Sequence, residues 1–352
     1  MNEIFNIGHT SDDLDSEGNL TFPTDWLELV EGKRHINWEF TKETQEILTP
    51  SDIADLDVLQ MGGRVVDSST LENSERLTLI VRHGVGYDNV DVDACNKAGV
   101  ILSITPDGVR RPMATACLTF VLTLAHQLPQ KERLVRRGES RESSHEKFEI
   151  GTGVTGKTLG LIVCGNIGKE VFKLAQPFDM KLITYDPYVK QEEIDYLGVK
   201  KVDLPTLMSS ADFVCVCTLL NKDTVGLVGK NELALMKDSA FLINISRGPI
   251  VDEDALISVL TNKTIKGAGL DVFREEPVDI NNPLLKLDNV IATPHTLGGT
   301  DELHTECGYS TMRAALAVCK GEFPDFIVNK QIIEDSRVIT KLKRYKNLYG
   351  DF

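Results

Sequence analysis

Three ionisable residues in the second half of the chain stand at or just past runs of strand-forming residues: Arg247, Glu276 and His295. Histidine exchanges a proton near neutral pH, which suits a carbonyl oxygen that gains negative charge as its carbon accepts hydride. A carboxylate beside the imidazole fixes its tautomer and stabilises the imidazolium, a role open to Glu276. The planar fork of arginine binds a carboxylate through two parallel hydrogen bonds and can polarise a neighbouring keto oxygen. Each residue alone has an ordinary explanation. Thr293-Pro-His295 and Arg247-Gly248 read as turns, and Arg274-Glu275-Glu276 reads as a solvated charge run. Their order along the chain, behind a nucleotide-binding pattern, gives the joint reading its weight.

That pattern runs from Thr158 to Asp186 as strand, glycine turn, helix and strand. Lys157 to Val163 is an apolar run of strand length, Cys164-Gly165-Asn166-Ile167-Gly168 is the turn, and Lys169 to Ala175 has helical apolar spacing. Lys181 to Tyr185 reads as the next strand and ends in Asp186. Gly165, Asn166, Ile167 and Gly168 would present bare amides to a pyrophosphate at a helix N-terminus, and an acidic residue about 20 positions on would accept from a ribose hydroxyl. The first glycine of G-x-G-x-x-G is Val163 here, where glycine would ease the tight turn.

The elements around this unit alternate between strand and helix, as in parallel α/β sheets. Ile4–Ile7, Ile36–Phe40, Leu56–Gln60, Leu77–Val81 and a short strand after Ala98 form a first series. Ala211–Cys217, Ala240–Ile245, Ile265–Phe273 and Val290–His295 extend the second. Pro112 to Leu128 is apolar nearly all round, so the spacing predicts a helix buried on most sides, bridging domains and joining subunits. Lys131 to Lys147 reads as exposed and charged, and the chain after Val328 as a tail whose Lys341–Lys346 run is solvated. Strand ends of such sheets converge on one crevice, which lets residues distant in sequence meet.

At 352 residues the chain is long enough for two or three domains. A formal charge of −15 with no basic block to offset it argues against nucleic acid as a partner. No apolar run reaches membrane length, and polar residues from Asn2 onward give no signal segment, so the expected location is the cytoplasm. Seven scattered cysteines without a C-x-x-C pair suggest neither disulfides nor a metal site.

The motifs together resemble the D-isomer-specific 2-hydroxyacid dehydrogenases. The matching runs are Arg82–Asp91 (RHGVGYDNVD), Gly156–Gly160, Gly165–Gly168, Asn244–Glu253, Gly269–Phe273 with Glu276-Pro277, and Thr293–His295. The resemblance implies two doubly wound parallel-sheet domains: a Rossmann NAD-binding domain over residues 111–297, with a bridging helix at 112–128, inserted into a flavodoxin-like substrate domain built from 1–110 and 298–352. It implies that Arg247 binds the substrate carboxylate and carbonyl, that His295 is the acid/base and that Glu276 is its partner. It gives Val85 and Gly86 backbone amides to the same carboxylate. Asp186, with no arginine just after it, implies NAD as the cofactor, and Thr218, Ile245, Ser246, Asp271, His295 and Gly298 would line the cofactor. The helix at 112–128 would pack across a homodimer. Departures from the family pattern are Val163, Thr115 where many members have glutamate, and Cys217-Thr218-Leu219 where His-x-Pro is common. An NAD-sensing protein without turnover and a dehydrogenase of phosphite or formate share this scaffold and remain open alternatives.

Overall fold

The structure is a computed structural model that describes residues 3–43, 45–139 and 150–350. The chain divides into two compact units, Met1–Val109 with Thr300–Phe352, and Arg110–Gly299. Among the described residues no helix is long and apolar enough to cross a membrane.

The first unit holds β1 (Phe5–His9), β2 (Ile36–Phe40), β3 (Val58–Met61), β4 (Leu79–Arg82) and β5 (Ile101–Ser103). They form one sheet in the order β2-β1-β3-β4-β5 with every pair parallel. This is the flavodoxin-like order 2-1-3-4-5. Strands covered on both faces are apolar at successive positions rather than alternating. Accordingly Val58, Leu79, Val81 and Ile101 face one cluster, and Leu59, Met61, Ile80 and Leu102 face the other.

The C-terminal segment corrects the expectation of a solvated tail. Ser336–Tyr349 is a helix, and Val338, Leu342, Tyr345 and Tyr349 are buried in the first cluster. These four recur at i, i+4, i+7 and i+11, one apolar stripe whose cations lie on other faces. Tyr345 meets Phe5 edge-on at 5.2 Å and donates to Asp57 Oδ1 at 2.7 Å. Lys341 belongs to the packed part as well: its ammonium donates to the Leu77 carbonyl at 2.6 Å, and burial pulls its pKa down to about 8.

The second unit holds β6 (Thr158–Ile162), β7 (Lys181–Tyr185), β8 (Val199–Lys201), β9 (Phe213–Val216), β10 (Phe241–Asn244), β11 (Gly267–Leu270) and β12 (Val290–Ala292). The order is β12-β11-β10-β9-β6-β7-β8, again all parallel. The order reverses between β6 and β9, the doubly wound Rossmann arrangement, and its ligand crevice lies outside the carboxyl ends of the strands at that switch. The fold class is therefore the α/β arrangement of two parallel sheets that the motifs imply. The short edge strand β8 was not expected from the sequence, since three residues with two lysines carry no readable period.

The apolar helix starts earlier and ends sooner than its composition suggests, spanning Pro106–His126 with Pro112 inside it. Pro112 is the seventh residue of that helix, past the first turn, so the helix forgoes the backbone bond to the Gly108 carbonyl there. The helix also has a polar face after all. Arg111, Thr115, Thr119 and His126 are exposed, while Ala114, Cys117, Phe120, Val121 and Leu124 enter the core of the second unit. Much of its apolar surface is thus covered by its own sheet: a side chain on Gly269 of β11 would come within 2.7 Å of the Phe120 ring. The charged stretch that follows begins as a helix, Leu128–Arg136, and its continuation through Lys147 falls partly in 140–149, outside the described residues.

Candidate active site

The nucleotide turn follows β6 directly. Gly165 is the N-cap of the helix Asn166–Ala175, and no side chain caps that end. Its first amides therefore point outward without a protein acceptor, and a Cβ on Gly165 would meet nothing within 4 Å. Uncapped amides, positive helix dipole and open space together fit a pyrophosphate. Asn166, Ile167 and Gly168 form the first turn of that helix, three residues earlier than its apolar spacing alone suggests. Gly168 is the close-packing glycine: a Cβ there would lie 2.9 Å from the Val163 carbonyl oxygen.

Val163 keeps the backbone of the glycine it replaces. Its φ is 75°, in the left-handed region where a β-branched side chain is strained. Left-handed geometry costs an L-residue about 1–2 kcal/mol. Valine offsets part of this by packing on the apolar cluster over β6 and β9. At an ordinary site alanine is more stabilising than glycine by about 0.5–1 kcal/mol. At this site the order is expected to invert, with Val163→Gly melting above Val163→Ala in side-by-side calorimetry. Because the turn already has glycine geometry, NADH affinity should change less than stability.

Asp186 follows β7 and is buried. Its Oδ2 accepts from the Cys164 amide at 2.9 Å, and its Oδ1 from Tyr188 and Val189 amides at 2.8 and 3.0 Å. Three backbone donors fix the carboxylate beside the turn and still leave acceptor capacity for a ribose hydroxyl. Thr218 is buried after β9, and Ile245 is buried after β10. The Ser246 hydroxyl donates to the Val216 carbonyl at 3.1 Å. Gly298 sits under Met113, whose sulfur would be 2.3 Å from an added Cβ. The site residues read from the sequence over 165–298 all lie past carboxyl ends of strands in this one unit.

Arg247, Glu276 and His295 are brought together by the loops after β10, β11 and β12. Asn244, buried at the end of β10, accepts from the Ser246 amide at 3.0 Å and donates to the Arg247 carbonyl at 3.0 Å, which folds the turn that presents Arg247. Gly248 then lies flat against the next loop, where a Cβ would be 1.9 Å from the Phe273 carbonyl. Only glycine lets these two loops touch. The Phe273 amide donates to Glu276 Oε1 at 3.0 Å, and Glu276 Oε2 is 2.7 Å from His295 Nδ1. His295 Nε2 is 3.5 Å from Arg247 Nη1.

His295 is itself held in a left-handed conformation, with φ 57°. The buried Asp271 brackets it: one carboxylate oxygen accepts from Thr293 Oγ1 at 2.7 Å and from the Thr296 and Leu297 amides at 3.0 and 3.1 Å. Asp271 therefore positions the loop that presents the imidazole. Sequence reading placed Asp271 by family pattern and did not single out Asn244 and Gly248 as positioning residues. An Asn two residues before a Ser, followed by Arg-Gly, was the available signal for an Asx-type turn.

The electrostatics follow from this geometry. Partial burial pushes the Glu276 carboxyl up, but hydrogen bonds from His295 and the Phe273 amide, with the nearby His295 and Arg247 charges, leave it below its ordinary 4.5. An ionised Glu276 accepts a hydrogen bond from Nδ1–H and leaves Nε2 as the nitrogen open to proton exchange. A carboxyl with a depressed folded pKa stabilises the fold above 4.5 and loses that contribution as pH falls through the lowered value. Glu276→Gln is accordingly expected to lower the melting temperature near neutral pH, with the gap to the parent closing in acid. The effect should be small, since the Glu276 side chain is 36% exposed.

In the first unit, the glycine turn after β4 is tied at both ends. The Gly84 amide donates to Thr105 Oγ1 at 2.8 Å, and Arg82 Nε donates to the Gly86 carbonyl at 2.8 Å. Val85 lies between these anchors. At the start of the second unit, Arg110 and Arg111 both pair with Glu170, at 3.9 and 2.5 Å.

Residues 118–296 match the family model described as the D-isomer specific 2-hydroxyacid dehydrogenase NAD binding domain. The chain belongs to the D-isomer-specific 2-hydroxyacid dehydrogenases. Among its relatives is a glyoxylate reductase of Thermococcus litoralis, 38% identical over 274 residues that cover 77% of this chain and 82% of that one. A D-3-phosphoglycerate dehydrogenase of Methanocaldococcus jannaschii is 36% identical over 315 residues, 89% of this chain but 58% of that longer protein. The D-lactate dehydrogenase of Aquifex aeolicus, solved with NAD and lactic acid, superimposes with a TM-score of 0.79 at 25% identity, over 92% of this chain and 99% of that one. This dehydrogenase is an NAD-dependent oxidoreductase of 2-hydroxy and 2-keto acids. Its own residues fit that cofactor through the uncapped helix end at Gly165 and the fixed carboxylate of Asp186.

Proposed function

We propose that this dehydrogenase interconverts a small D-2-hydroxy acid and its 2-keto acid, with His295 as acid/base, Glu276 as its partner and Arg247 as the carboxylate anchor. The observation that carries the reading is the imidazole held between Glu276 at 2.7 Å and Arg247 at 3.5 Å. NAD, when bound, supplies the site that gives or takes hydride. In the reductive direction His295 donates its Nε2 proton to the carbonyl oxygen, and the Glu276 carboxylate stabilises the imidazole in the orientation that allows this. Arg247 holds the substrate carboxylate through its fork and polarises the adjacent keto oxygen.

On the family resemblance, the backbone amides of Val85 and Gly86 also bind the substrate carboxylate, which assigns residues 1–110 and 298–352 to the substrate domain and 111–297 to the cofactor. Thr218, Ile245, Ser246, Asp271 and Gly298 line the cofactor in the same reading. The enzyme is proposed to act as a cytoplasmic homodimer joined through the 106–126 helix, and sedimentation of the purified chain checks the oligomeric state. NADH consumption with glyoxylate, hydroxypyruvate, phosphohydroxypyruvate and longer sugar-derived keto acids tests the activity. Turnover of at least one is expected. NADH binding without turnover across the panel would favour a sensor, and oxidation of phosphite or formate with NAD would give a different reaction on the same scaffold.

A further inference from the structure

The helix Glu253–Thr261 follows the turn that presents Arg247, and its first residue is a carboxylate nearly closed to solvent, 8% exposed. A buried carboxylate is costly unless its oxygens are hydrogen-bonded. Both oxygens of Glu253 are. Oε2 accepts from the Arg274 amide at 2.9 Å, and Oε1 accepts from Asn282 Nδ2 at 3.0 Å. The helix end has its own cap in Asp252, whose Oδ1 accepts from the Ala255 amide at 3.1 Å. The Glu253 side chain is therefore turned to another segment.

That segment is the loop between β11 and Pro283, which carries Glu276. Arg274 stands near its start and Asn282 at its end, so one carboxylate ties both ends of the loop to one helix. The Phe273 amide donates to Glu276 Oε1 at 3.0 Å, and the next amide in the chain, that of Arg274, donates to Glu253. Fixing the Arg274 amide fixes the peptide plane beside the one that orients the Glu276 carboxylate. Gly248 supports the same spot from the Arg247 turn, where an added Cβ would lie 2.5 Å from the Arg274 nitrogen. The Asn282 side chain is itself held, because its Oδ1 accepts from the Leu284 amide at 3.0 Å. The pair of Arg274 with Asp254 at 3.1 Å adds little, since both side chains are exposed.

We propose that Glu253 is a positioning residue for the reaction, which clamps the 273–282 loop so that Glu276 stays beside His295. The proposal rests on the acid/base reading of His295 and Glu276. A carboxylate is required because the clamp needs two acceptors and no donor. Glutamine supplies one of each, so its NH2 group would face either the Arg274 amide or the Asn282 NH2 group. Changing Asn282 to Asp at the same time repairs the match. The new amide then donates to the new carboxylate, its oxygen still accepts from Arg274, and the charge of the pair is unchanged.

The test uses the full chain with NADH and whichever of glyoxylate, hydroxypyruvate and phosphohydroxypyruvate it reduces fastest. Glu253→Gln is expected to lower kcat by about 10- to 10²-fold, the scale of a catalytic group displaced by about 1 Å, with the NADH dissociation constant unchanged. The imidazole limb of the pH–rate profile should move to lower pH, because the Glu276 carboxylate stabilises the imidazolium less well from a loose loop. Adding Asn282→Asp should restore most of the rate and return the limb. In a Glu276→Gln background, Glu253→Gln should cost little more, since the two residues act as one unit. Nitrogen NMR of the substrate-free protein labelled in histidine reads the same pair without turnover. The Nδ1–H form of His295, assigned by its loss in His295→Asn, should be depleted in Glu253→Gln and recovered in the double variant. A parental rate in Glu253→Gln while Glu276→Gln is slow would overturn the clamp and leave the acid/base reading standing. Full additivity with Glu276→Gln, or no rescue by Asn282→Asp, would reduce Glu253 to a purely structural role and overturn it as well. Parental rates in both Glu276→Gln and His295→Asn would overturn the two together.

Discussion

Asparagine at position 295 is expected to lower kcat by about 10²–10⁴, the usual contribution of a positioned acid/base, while the fold and NADH binding survive. The choice of asparagine follows from the backbone. His295 has φ 57°, and asparagine is among the few residues that occupy this region readily. Alanine there would add strain to the loss of the imidazole and confuse the two effects. Asparagine keeps a polar side chain facing Glu276, which is 2.7 Å from the imidazole in the parent. Two readouts separate chemistry from structure. Near-UV circular dichroism and the NADH dissociation constant should match the parent, whereas the limb of the pH–rate profile that reports the imidazole should disappear. If the variant retains both its rate and its pH profile, His295 is not the acid/base, and the reaction draws its proton from elsewhere.

The large features of the molecule were readable because they depend on local periodicity. The apolar runs that became β6, β9 and β10 are buried on both faces and needed no knowledge of their neighbours. The glycines at 165 and 168 marked the turn: at 168 an added Cβ would lie 2.9 Å from the Val163 carbonyl oxygen, while at 165 the space beside the uncapped helix end is open to a ligand. The constellation of Arg247, Glu276 and His295 was readable from strand ends, since a parallel sheet points all its carboxyl ends one way.

What stayed hidden depends on contacts distant in sequence. The C-terminal helix was masked by its own cations: Lys341, Lys343, Arg344 and Lys346 outnumber the apolar residues around them, and only the tertiary contact with β1 shows which stripe is buried. Val163 read as a missing glycine, but whether the turn would relax or the valine would be strained is decided by the Gly168 contact and the β6 register. Asn244, Gly248 and Asp271 act on the site through other residues. Asp271 holds three donors around His295 from 22 to 26 positions away, a relation that no local pattern encodes.

Arg247→Ala is expected to reduce kcat/KM by about 10²–10³ or more, because two charge-assisted hydrogen bonds of roughly 1.5–3 kcal/mol each are lost. The loss should divide between the constants. The carboxylate contact acts in both ground and transition states and appears as a raised KM, while polarisation of the keto oxygen acts mainly in the transition state and lowers kcat. Arg247→Lys separates the two contributions. Lysine keeps the charge but cannot reproduce the planar fork, so it should recover part of kcat and little of KM. The backbone of the site should not move in either variant, since Asn244 holds the turn through the Ser246 amide and the Arg247 carbonyl, neither of which belongs to the side chain. By contrast, Gly248→Ala next to it would push Phe273 and Glu276 away, because the added carbon would lie 1.9 Å from the Phe273 carbonyl. That variant should lose activity together with melting temperature, while Arg247→Ala should lose activity alone. Guanidinium ion added to Arg247→Ala offers a last discrimination: partial recovery of rate is expected if the missing group is the fork itself, and none if residue 247 serves only to shape the loop.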